Sequence, residues 1–106
     1  MADLAELSRR LGRADGCDPA LDEMVAAVFG VGRKPYTMSI EDCRALVAEA
    51  LPGWRLHVGF GVSGVLPYAA LASDGRHVEA EAGTVPLAIL KAAVLAAEPP
   101  APAPGQ

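Results

Sequence analysis

Apolar residues recur along this chain in two rhythms, one helical and one of alternate positions, and the change between them sets the order of elements. Leu4, Leu7 and Leu11 fall at the spacing of one helix face, and Gly12 followed by Asp15-Gly16 is expected to stop that helix. Asp18 stands as an N-cap before Pro19, whose missing N–H is no loss at a first helical position. Leu21, Val25, Val28 and Phe29 then form the stripe of a second helix, ended by Gly30 and Gly32. Arg33 to Thr37 reads as a linker. Ser39 and Asp42 make an S-x-x-D capping box for a third helix, with Ile40, Cys43, Leu46, Val47, Ala50 and Leu51 on its apolar face and Pro52-Gly53 cutting it off.

From Trp54 the period changes to two. Trp54, Leu56, Val58 and Phe60 alternate with Arg55, His57 and Gly59, the pattern of a half-buried strand, and Trp54 at its head is expected in the core. After a glycine-rich turn, Tyr68 to Ala72 and His77 to Ala82 flank Asp74-Gly75, a strong short hairpin signal. A two-residue loop fixes the register: Ser73 pairs with Arg76, Leu71 lies opposite Val78, and Ala69 lies opposite Ala80. That face is the expected core side. Tyr68, Ala70 and Ala72 share the other face with His77, Glu79 and Glu81, and Arg55 and His57 belong to the same face of the first strand.

Thr84 is the N-cap of a last helix carrying Leu87, Ile89, Leu90, Val94 and Ala97, which ends near Glu98. The remaining PPAPAPGQ has no apolar periodicity and reads as a disordered, partly polyproline tail. The fold class expected is α+β, a three-stranded antiparallel sheet packed with helices in the order α-α-α-β-β-β-α. Residues 1–17 hold a short helix and loop, 18–98 a single domain, and 99–106 the tail.

Composition narrows what this fold can do. A chain of 106 residues, 52% of them hydrophobic but rich in alanine, affords one thin core. A net charge of -4 and a pI near 5.0 argue against nonspecific binding of nucleic acid, which draws its affinity from neutralised phosphates. No apolar run approaches the roughly 18 residues that span a bilayer, and MADLAELSRR is no basic-then-apolar leader, so a soluble cytoplasmic protein without membrane contact is expected. Cys17 and Cys43 are too few for a disulfide-dependent fold and read as free thiols. Cys43 is a core filler, and Cys17 has no neighbouring His to activate it.

Candidate chemistry is sparse. Gly59-Phe60-Gly61-Val62-Ser63-Gly64 satisfies G-x-G-x-x-G, but Gly64 leads into Val65-Leu66-Pro67 and a second strand, where a dinucleotide site needs a helix N-terminus. His57, His77, Glu79 and Glu81 are the best metal or acid–base set, yet successive same-face positions on a strand lie about 6.5 to 7 Å apart, awkward for one tetrahedral ion. A solvated outer face is the better account, and no cofactor is expected. Arg9, Arg10 and Arg13 are interleaved with Asp3, Glu6 and Asp15. The helix–three strands–helix order matches the double-stranded RNA-binding module, but Gly83-Thr84-Val85-Pro86-Leu87 lacks that module's lysines.

Tyr36-Thr37-x-Ser39 opening a helix, Leu51-Pro52-Gly53-Trp54 closing it into a strand, the Asp74-Gly75 hairpin and the Thr84-x-Pro86-Leu87-Ala88 start of an alanine-rich helix come together in one pattern. From Tyr36 through Ala97 the chain resembles the phage ABA sandwich domain of small phage and prophage proteins, and the Asp18-x-x-Leu21-Asp22 helix resembles that family's N-terminal portion. The resemblance implies a phage or prophage origin, a bacterial cytoplasmic setting and α-β-α layering, and brings no catalytic residues. The expected function is a noncatalytic accessory or interaction domain, with a nucleic-acid-associated regulator as the alternative. Its partner-binding face is expected at Tyr68, Ala70, Ala72, His77, Glu79, Glu81, Arg55 and His57. The competing expectation is that one of the chain's own helices covers this face.

Overall fold

Each helix begins at a side chain that accepts from its own first turn. The Asp3 carboxylate takes the Glu6 N–H (2.8 Å), and Asp18 takes those of Ala20 and Leu21 (3.0 and 3.2 Å). Ser39 takes the Asp42 N–H (3.1 Å), and Thr84 takes that of Leu87 (3.3 Å). These bonds satisfy amides that have no partner within the helix. The computed structural model describes residues 3–60 and 64–98. Within them run α1 (Leu4–Arg13), α2 (Pro19–Phe29), α3 (Ile40–Ala50), β1 (Arg55–Phe60), β2 (Pro67–Ser73), β3 (Arg76–Glu81) and α4 (Val85–Ala97). This is the α+β order that the periodicities predict. The proline-rich 99–106 lies outside the described residues.

Two boundaries differ from expectation for local reasons. Helix α1 continues through Gly12 to Arg13, closing on a tightened bond from the Ala14 N–H to Leu11 O (3.2 Å) before Ala14 turns extended. The stretch Arg33 to Thr37 is no loose linker, because Tyr36 and Thr37 are each 2% exposed. The Thr37 N–H donates to Asp22 Oδ1 (2.6 Å), the Asp18 N–H donates to Thr37 Oγ1 (2.8 Å), and the Tyr36 hydroxyl donates to Gly32 O. These bonds tie the loop to α2, so its buried polar groups stay paired.

The strands form a meander in the order β1-β2-β3, antiparallel throughout. Gly75, at φ +73°, makes the tight turn of the Asp74-Gly75 hairpin possible, and the register is the expected one: Ser73 with Arg76, Leu71 with Val78, Ala69 with Ala80. In the other pair Arg55 meets Ala72, His57 meets Ala70 and Gly59 meets Tyr68. Alternation therefore sorts Leu56, Val58, Ala69, Leu71, Val78 and Ala80 to one face, where α4 packs on β2 and β3.

Helix α4 is buried on nearly all sides, with Leu87, Ile89, Leu90 and Val94 at 0 to 2% exposure. Such a helix needs a neighbour on every flank. It has the sheet on one side and α1 and α3 on the other, while α2 packs against α1. Leu7 and Leu11 of α1, both fully buried, join this core. The packed helices lie on a single face of the sheet, and the opposite face carries exposed Arg55, His57, His77, Glu79 and Glu81. The α-β-α layering implied by the family resemblance is thus not the layering observed. Charged side chains at every second position of β3 suit water, not a covering helix.

Candidate functional site: the open face of the sheet

All eight residues expected on the candidate face are brought together there. Three rows cross the sheet: Arg55, Ala72 and His77; His57, Ala70 and Glu79; Gly59, Tyr68 and Glu81. The middle strand is β2, with Tyr68 half-buried and Ala70 only 7% exposed although no helix among the described residues covers it. Its cross-strand neighbours are His57 and Glu79, so a strip of one aromatic and two small side chains runs along β2 between the two outer strands. The outer strands differ in charge. On this face β1 carries Arg55 and His57, whereas β3 carries Glu79 and Glu81, with the His77 Nε2 3.7 Å from a Glu79 carboxylate oxygen.

Tyr68 is placed by a glycine whose role the sequence reading missed. A Cβ at Gly59 would stand 3.1 Å from the Tyr68 Cε1, so the bare glycine lets the phenol lie across β1. The ring also tilts against His57, with centroids 5.8 Å apart. A glycine inside a strand pattern is the available signal for such a close approach.

The same alternation puts Arg76 on the helix-covered face, at its edge. Its guanidinium donates to Ala96 O (3.2 Å) and Glu98 O (3.3 Å), taking up carbonyls that the end of α4 leaves without helical partners. It lies 5.2 Å from the centre of the Trp54 ring. Trp54 is accordingly half-buried against the core, not enclosed in it as its place in the alternation suggested.

Other candidate chemistry does not assemble. Among the described residues no group of three or more His, Cys, Asp or Glu is arranged to hold a metal ion. His57 is separated from Glu79 by the whole width of β2, about 9 to 10 Å between backbones. The G-x-G-x-x-G stretch falls partly outside the described residues, and the element that follows it is β2, not a helix. Cys43 is fully buried, its thiol donating to Tyr36 O (3.0 Å); burial, with Asp42 and Asp22 nearby, pushes its pKa up to about 12, far from that of a nucleophile. Burial also raises the Tyr36 phenol, reinforced by Glu49, Asp42 and Cys43. Cys17 is exposed, with its sulfur 3.9 Å from that of Met38.

The basic residues are dispersed. Arg9, Arg10 and Arg13 line a groove shared with Glu6 and Asp18, Arg33 pairs with Glu23, and Arg55, Arg76 and Lys91 sit at three separate places around the sheet. No helix among the described residues is long and apolar enough to cross a membrane. The class these features define is an α+β protein with a meander sheet covered by helices on one face and open on the other. No family model matches the chain, and neither a curated protein nor a solved structure matches it.

Proposed function

We propose that this protein is a noncatalytic interaction domain that docks a protein partner on the open face of its sheet. The observation that supports this reading is the register: Tyr68, Ala70 and Ala72 run along the central strand, with Arg55 and His57 beside them on β1 and Glu79 and Glu81 on β3. Apolar centre and polar rim are the anatomy of protein interfaces, and tyrosine is among the side chains that anchor them. The partner that fits presents an apolar side chain to Ala70 and Ala72, an acidic group toward Arg55 and His57, and a basic group toward Glu79 and Glu81. The family resemblance extends the proposal to an accessory role in a phage or prophage setting, in the cytoplasm of a bacterial host.

The test uses two variants that reshape the face without touching the core. Ala70→Arg puts a long side chain on the strip along β2, and Glu79→Lys reverses a charge beside it. Wild-type protein, both variants and a control changed on the helical side (Glu23→Lys) are used as bait in lysate of the source organism. A protein retained by wild type and control, lost by both face variants and bound directly when purified, supports the reading. Equal retention by all four baits overturns it. Salt-dependent retention of nucleic acid, lost when Arg9 and Arg10 are replaced, would instead favour the nucleic-acid-associated alternative.

A further inference from the structure

The covered side of the sheet is not filled everywhere. Where α1, β3 and α4 come together, α1 contributes Ser8, Leu11 and Gly12, α4 contributes Lys91, Val94 and Leu95, and β3 contributes Ala80 to a groove of about 240 Å³. Each helix supplies positions i, i+3 and i+4, so each wall is a single helix face. Interiors ordinarily close to crystal-like packing, but Ser8, Gly12 and Ala80 are too short to fill this space. Ala80 is accordingly left half-buried, whereas Ala69, its partner across the ladder, is fully buried.

Two features of the groove point to what it holds. The first is one cation among apolar walls. Lys91 donates to Glu81 O at 3.5 Å and joins no ion pair among the described residues, so two of the three ammonium N–H donors remain for an anion. Around it stand Leu11, Ala80, Val94 and Leu95, the last 36% exposed on a helix that is otherwise almost wholly buried. The second is Gly12. Its φ is not positive, so it serves no left-handed turn, and a Cβ there would meet nothing within 4 Å. Glycine is among the least favoured residues in a helix, and here it holds the place from which a larger side chain would enter the groove.

We infer that this groove binds a small free monocarboxylic acid with an apolar body, its carboxylate paired with Lys91 and its body laid along Leu11, Ala80, Val94 and Leu95. Each part of that description has its own source. The sign of the charge comes from Lys91, which is the groove's one cation and has no carboxylate of the chain against it. A single negative charge suffices, because a second would find no partner there. The size comes from the volume, which lies below the roughly 300–1,000 Å³ of clefts that hold drug-sized ligands and suits a short alkyl chain or one aromatic ring. An apolar wall beside the ammonium excludes water and strengthens the ion pair. The groove lies on the opposite side of the sheet from Tyr68, Ala70 and Ala72, so its occupancy does not depend on what docks on the open face.

The probes are hexanoate, hexanol and hexylamine, titrated into the full chain near neutral pH, where the acid is ionised, and followed through the backbone amide resonances. Hexanoate should shift the amides of Gly12, Ala80, Lys91 and Leu95 with a Kd on the order of 1 mM, as suits a ligand of few atoms on an open groove. Hexanol should bind at least about tenfold more weakly, and hexylamine should not bind. Lys91→Met keeps the apolar stem and should bring hexanoate down to the affinity of hexanol. Gly12→Leu fills the groove and should abolish binding of both. Leu95→Glu, at an exposed position, sets a carboxylate beside Lys91 and should abolish the preference for the acid, so the inference stays testable if Gly12→Leu fails to fold. No shift at these amides up to about 10 mM hexanoate, shifts confined to another surface, equal binding of acid and alcohol, or a preference for the acid that survives Lys91→Met overturns the inference.

Discussion

The two faces of the sheet are built from the same three strands in the same register, and alanine lies at the centre of both. Ala69 is fully buried beneath α4, and its neighbour Ala70 is 7% exposed on the face that carries no helix among the described residues. Equal burial thus has two causes. Ala69 is enclosed by packing that the fold needs, whereas Ala70 stands between the exposed residues His57 and Glu79 of the flanking strands. Burial alone does not tell a core position from the floor of a docking surface; what lies above it does.

The largest effect expected separates these causes directly. Ala69→Arg would force a long side chain and an unpaired charge under α4, a penalty of several kcal/mol against a typical domain stability of about 5–15 kcal/mol. It should show no cooperative melt. Ala70→Arg can lay its guanidinium beside Glu79, and its stability should stay within about 1 kcal/mol of wild type. A collapsed circular dichroism spectrum for Ala70→Arg would mean that the open face is covered in solution.

Alkaline pH probes the covered side by titration. The Cys43 thiol rises from its ordinary 9.0 to about 12 in the fold, first through burial and then through Asp42 and Asp22. Because its folded pKa lies above the unfolded one, its contribution to stability is complete below about pH 9. It is lost as pH rises toward about 12, since there the unfolded chain releases a proton that the folded chain keeps. The free energy of unfolding, measured by denaturant titration, should fall across that window by an amount on the order of a few kcal/mol, and its slope against pH should be shallower in Cys43→Ala. Tyr36, raised in the same direction, leaves a residual slope above its ordinary value of 10.0. Identical slopes in the two proteins would remove Cys43 from the account.

The edge of the covered face should respond next. Arg76→Ala removes two charge-assisted bonds to the end of α4 and the stacking on Trp54, costing about 1–3 kcal/mol. Arg76→Met keeps much of the packing and should recover part of that loss. Trp54 fluorescence should be intermediate between buried and water-exposed, and should shift to longer wavelength in Arg76→Ala. A fully blue-shifted emission in wild type would place the indole inside the core.

How much of this was legible in the sequence follows from how local each cause is. The register of β2 on β3 could be read because a two-residue Asp74-Gly75 turn admits one pairing, and alternation then assigned every side chain to a face. The caps at Asp18, Ser39 and Thr84 were legible because each lies within three residues of its partner, and the Asp3 cap of α1, equally local, was missed. Arg33 to Thr37 was not, because Thr37 is tied to Asp18 and Asp22, and Tyr36 to Gly32, by bonds whose geometry only the packed fold defines. Trp54 was misplaced because its cationic neighbour occupies an apolar slot in β3 and draws its own partners from the far end of α4. The eight residues of the open face were legible as a set, and charge at alternate positions of β3 favoured a solvated face over the competing expectation of a covering helix. Periodicity shows which side chains share a face and is silent on what covers it.

The smallest effect expected sharpens the account of the open face. Gly59 pays an entropic cost in a strand, and alanine there would recover roughly 0.5–1 kcal/mol if space allowed. A Cβ would meet the Tyr68 ring at 3.1 Å, so the ring must give by a few tenths of an ångström and the gain is offset. Gly59→Ala alone should therefore be close to neutral. In a Tyr68→Ala background the obstruction is gone, and the same substitution should stabilise by about 0.5–1 kcal/mol. The difference between the two measurements is the coupling of a double-mutant cycle, and it reports whether Tyr68 lies over β1 in solution. If the two substitutions add without coupling, the phenol does not rest on Gly59, and the strip along β2 is alanine alone.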